Sequence, residues 1–131
     1  MRIFMSAIAA SFSVASPALA NPPLAEVESV REALITAGMV VEIDEKCDDI
    51  SMRLVRGYSF LQNIEKDARD RGYSDAEIEA YTDDDAEKDR LEAIARDRLV
   101  ALGAVPGNGA SYCAVGQAQI DARTEIGRLL R

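Results

Sequence analysis

Two groups of residues in this chain have the types and spacing for chemistry: the cysteines Cys47 and Cys113, and the carboxylates Asp83, Asp84, Asp85, Glu87 and Asp89. Cysteines can bridge or exchange. Fast thiol exchange uses a C-x-x-C pair with a depressed pKa at a helix N-terminus, whereas these two stand 66 positions apart. A structural bridge accounts for both with fewer assumptions. The acidic group suggests a calcium or magnesium site. As an EF-hand loop starting at Asp83, however, it has Lys88 where the turn needs glycine and Ile94 where a bidentate glutamate belongs. Acids in a helix's first turn also complement the positive end of its dipole. These carboxylates are therefore read as caps and solvated surface, and no metal ligand is assigned.

The chain contains no histidine, which removes Ser-His and Cys-His catalysis, the usual zinc sites with histidine ligands and c-type haem attachment. Ser51, Ser59, Ser74 and Ser111 have no such base, and none lies in a G-x-S-x-G elbow or an S-x-x-K motif. Two carboxylates can hydrolyse a glycosidic bond, but with 23 acidic residues some pair always stands at a suitable distance. Tryptophan is absent and aromatics make up 5%, too few for a sugar-stacking or base-stacking platform. A net charge of −8 repels nucleic acid and anionic lipid. The expectation is a protein with no catalytic residue and no cofactor.

Residues 1–20 read as a cleavable export signal: Arg2, an apolar run from Ile3 to Val14, and the small-residue end Ala18-Leu19-Ala20 after Pro17. The run is shorter than the roughly 20 residues of a spanning helix and is diluted by serines. Cleavage between Ala20 and Asn21 leaves residues 21–131 as one helical domain, periplasmic or secreted, without a membrane span and with 14 basic against 23 acidic residues. An oxidising compartment favours pairing of Cys47 with Cys113.

The elements that must position these residues are all helices. Leu24, Val27, Val30, Leu34, Ala37 and Val41 recur at gaps of three and four, predicting a helix from Pro22-Pro23 to about Lys46, with a bend at Gly38. Asp49 is the expected cap of a second helix, striped by Ile50, Leu54, Tyr58, Leu61, Ile64 and Ala68 and ended by Gly72. Ser74-Asp75-Ala76-Glu77 is a capping box, and Tyr73 and Ile78 form a staple, for a short helix to about Thr82. After a break at Asp83-Asp84, a fourth helix buries Leu91, Ile94, Ala95, Leu99 and Leu102 before Gly103. The last runs from near Ser111 towards Leu130, striped by Val115, Ala118, Ala122, Ile126 and Leu129. No segment alternates as a strand, so the fold class is all-α, a compact bundle of four or five helices stapled by one disulfide.

The helix ending at Cys47, the stretch from Gly72 to Tyr81, Asp85-Ala86-Glu87-Lys88, Cys113 and the ending Ile126 to Leu130 resemble a family of small exported alphaproteobacterial proteins known only as a domain of unknown function. The resemblance implies an exported helical protein with paired cysteines and brings no functional residue. The expected function is a non-enzymatic periplasmic module that binds a protein or cell-envelope component. A stress-type holding chaperone is the alternative, and a wall-active hydrolase a lesser one. Ile126, Arg128, Leu129 and Leu130 are a candidate partner contact, since adjacent helical leucines point about 100° apart. The alternative is that both leucines wrap the core and the arginines favour the helix C-terminus.

Overall fold

The computed structural model describes residues 20–131, so the export signal expected at residues 1–20 lies, but for Ala20, outside the described residues. A 3-10 turn, Leu24–Glu26, leads into α1 (Glu28–Lys46), α2 (Leu54–Asp70), α3 (Asp75–Thr82), α4 (Asp85–Ala101), α5 (Gly109–Ala122) and the four-residue α6 (Glu125–Arg128). The class is all-α, with no strand beyond isolated bridges among the described residues.

α1 is the central element, touching α2, α4, α5 and α6. It starts later than the stripe predicts, because Val27 is extended (φ −78°, ψ 104°) and separates it from the 3-10 turn. A helix packed on several sides has more than one apolar face. Ile35, Met39 and Ile43 are buried towards the main core with Leu91, Ala95 and Leu99 of α4, a face the single predicted stripe missed. Gly38 does not interrupt the helix. A Cβ there would lie 3.1 Å from that of Ala95, so the glycine allows the close approach of α4.

The second helix begins at Leu54, not after Asp49. The backbone of 51–53 is committed elsewhere: Ser51 N–H donates to Arg131 O (3.0 Å), Arg53 N–H to Leu129 O (2.8 Å), and Arg131 N–H to Ser51 O (2.9 Å). Met52 N–H donates to the carboxylate of Asp44 (2.8 Å). A helical turn here would forfeit those partners. α3 starts as predicted, with Ser74 Oγ accepting from Glu77 N–H and the Glu77 carboxylate accepting from Ser74 N–H. Tyr73 and Ile78 are buried together in a second apolar cluster with Leu24, Val27, Val30, Ile64 and Ala68.

The predicted last helix is two. Arg123 adopts the left-handed conformation (φ 52°), ending α5, and Thr124 caps α6 by accepting from Gly127 N–H (3.1 Å). Gly127 permits the fold-back: a Cβ there would lie 1.9 Å from Gln119 O. Of the predicted stripe, Val115 and Leu129 are buried while Ala118 and Ala122 are exposed. Leu102, expected in the core, lies past the end of α4 and is half exposed.

Candidate functional site

Cys47 and Cys113 form a disulfide, their sulfurs 2.00 Å apart, joining the end of α1 to the beginning of α5. Cys47 is buried in the main cluster and Cys113 packs against it, so the bond staples the core.

The acidic group works locally. Asp84 caps α4 by accepting from Glu87 N–H (3.1 Å). Glu87 is held below the usual carboxylate range chiefly by hydrogen bonds from Arg90 (2.7 and 2.8 Å). Glu87 also accepts from the hydroxyl of Tyr81 (3.2 Å), whose pKa is pushed up to about 12 by burial and then by the charge of Glu87. Among the described residues, no three cysteine, aspartate or glutamate side chains converge as metal ligands would.

The C-terminal residues divide. Leu129 and Leu130 are buried, Ile126 packs half-buried against the main cluster, and Arg128 is exposed. Two successive leucines reach the core because the chain leaves the helix after Arg128 and Leu130 pairs with Met52 in an antiparallel bridge. Little apolar surface is left here for a partner.

Open apolar surface lies instead where the first two predicted stripes meet. A groove of about 230 Å³ runs between α1 and α2, lined by Ala37, Val40 and Val41 on one side and Leu54, Gly57, Tyr58, Phe60 and Leu61 on the other, with Met52 and Leu129 also in its lining. Leu61 also lines a second groove of about 160 Å³, with Val30, Leu34, Ile64, Ile78 and Tyr81. The parts of the two stripes that lie within α1 and α2 face each other across these grooves, but they are covered unequally. Near the 3-10 turn and α3, Leu24, Ile64 and Ala68 are buried. At the other end Leu54 is 71% exposed, Tyr58 65%, Leu61 45% and Val41 39%, with Val55 beside them at 81%. Periodicity locates such a face but cannot say whether the protein itself covers it.

The first groove has no ionisable group except the Tyr58 phenol, so it offers no acid-base pair and no oxyanion donor set. It is smaller than the 300–1,000 Å³ typical of small-molecule sites. A further exposed set, Val100, Leu102 and Val105, lies around the α4–α5 corner, where the neighbouring depression also carries the charged Glu42, Lys46, Arg96 and Asp97.

The model of a family described as "Family of unknown function (DUF5333)" matches residues 22–131, and the chain belongs to that family. No curated protein and no solved structure matches it.

Proposed function

We propose that this family member is an exported, non-enzymatic helical module that docks a protein or cell-envelope component along the α1–α2 groove, in the periplasm, after cleavage between Ala20 and Asn21. One observation carries the reading: Leu54, Tyr58 and Leu61 repeat at helical spacing yet stand 71%, 65% and 45% exposed beside an apolar groove. Soluble proteins rarely leave a contiguous apolar face uncovered unless something binds it. The Cys47–Cys113 bond supports an oxidising compartment, and no described helix is long and apolar enough to cross a membrane. The leader at residues 1–20 and the resemblance to exported alphaproteobacterial proteins support the same location.

A holding chaperone would also use exposed apolar side chains, but it should expose more as its carboxylates protonate. A docking module keeps the same surface at pH 7 and pH 4, which binding of a hydrophobic dye reads directly. The test of docking is the double variant Leu54→Asp, Tyr58→Asp. Both side chains are mostly solvated, so its melting temperature should match wild type while cross-linked partner recovery from periplasm is lost. Undiminished recovery from this variant would overturn the reading.

A further inference from the structure

We infer that the occupant of the α1–α2 groove is the α2 helix of a second copy of this chain, laid antiparallel; this rests on the docking reading above and names its partner. Leu54, Tyr58, Leu61 and Glu65 follow one another at gaps of four, three and four, the seam spacing of a two-helix coiled coil. Leu54, Tyr58 and Leu61 line the first groove, and Leu61 and Glu65 the second. The same face therefore carries both projecting side chains and the hollow that receives them, which is what a two-fold, self-matching contact requires.

Charge sets the direction. The sequence from Ile50 to Ile64 holds no acid, only Arg53 and Arg56, so the apolar part of the seam brings no carboxylates together despite the net charge of −8. α2 has no side-chain N-cap and no acid in its first turn. Neither Arg53 nor Arg56 has an ion-pair partner among the described residues; their guanidiniums donate to the carbonyls of Leu130 (2.8 Å) and Arg128 (3.1 Å). Antiparallel pairing centred between Tyr58 and Leu61 sets Glu65 of one copy opposite Leu54 of the other, at the positive, uncapped start of that helix. Parallel pairing would stack the two basic ends on each other. The hollow is smaller than typical small-molecule sites. The seam spans only about 17 Å of helix, shorter than the footprint of a standard interface with its ~800 Å² per partner, so the contact is a weak and reversible one.

The test combines sedimentation with register-specific cross-linking of the oxidised mature protein. Wild type should pass from monomer to dimer as concentration rises, and Leu61→Asp should weaken the dimer at least tenfold. Mixing Leu54→Cys with Glu65→Cys should give a mixed disulfide by intact mass. Leu54→Cys alone should not, because antiparallel copies hold those positions about 17 Å apart along the axis, beyond the ~7 Å a disulfide can span. Leu54→Cys cross-linking to itself in preference to Glu65→Cys, or a protein that stays monomeric throughout, overturns the inference. A monomer whose residue 58 still cross-links to a different protein refutes the dimer and leaves the docking reading standing. A monomer with no adduct at 58 refutes both.

Discussion

Met52 and Leu130 face each other in an antiparallel bridge, flanked by the backbone hydrogen bonds that join Ser51 to Arg131 and Arg53 to Leu129. Leu130 is 1% exposed, so the last residues act as a strap across the start of α2. Leu130→Ala should cost about 2–5 kcal/mol, the range for truncating a buried leucine, read from the urea midpoint at constant slope. Removal of 126–131 should cost more, because it also strips the partners of Ser51 and Arg53. A midpoint that stays put would mean that the strap is decorative.

The disulfide closes a 66-residue separation, for which the chain-entropy model gives roughly 4 kcal/mol. Cys113→Ala should lose stability on that scale, and reduction of the native protein should do the same. Equal denaturation curves for reduced and oxidised protein would contradict it.

The helical class, the Ser74–Glu77 capping box, the break before α4 and the cysteine pair were legible because each is a local signal: a period, a cap, a residue type. What failed was non-local. Asp49 looks like a cap, but the 51–53 backbone bonds residues about 78 positions away (Ser51 to Arg131, Arg53 to Leu129), which no window of sequence contains. Arg123 in the left-handed conformation is not a residue that announces a break. Gly127, by contrast, did offer a signal, a glycine inside an apparent helix, that marks the α6 fold-back. The groove was half legible: its two walls are the predicted stripes, while its openness depends on where α3 stops covering α2.

The Glu32 carboxylate links α1 to α4 by accepting two hydrogen bonds from Arg98 (2.6 and 3.0 Å), which hold it below its ordinary value of 4.5. A lowered carboxylate stabilises the fold fully above the unfolded value and loses that contribution as pH falls through the folded one. With both side chains about 40% exposed (39% and 43%), the pair contributes at most about 1 kcal/mol. Glu32→Gln should therefore melt slightly lower than wild type at pH 7, and the two should converge as pH falls below 4.5 and through the lowered folded-state value. Asp67, lowered by the Ser29 hydroxyl and then by Arg71, and Glu87 add to the wild-type acid sensitivity. A gap between variant and wild type that widens on acidification would reverse the assigned sign.

The most direct test of the central claim, that the uncovered α1–α2 face is a working surface, is photo-cross-linking in exporting cells with the reactive residue at 58, against a control at the exposed Asp89. A discrete adduct is expected from position 58, abolished by Leu54→Asp, and none from position 89. Equal adducts at both positions, or none at 58 in folded protein, would contradict that claim.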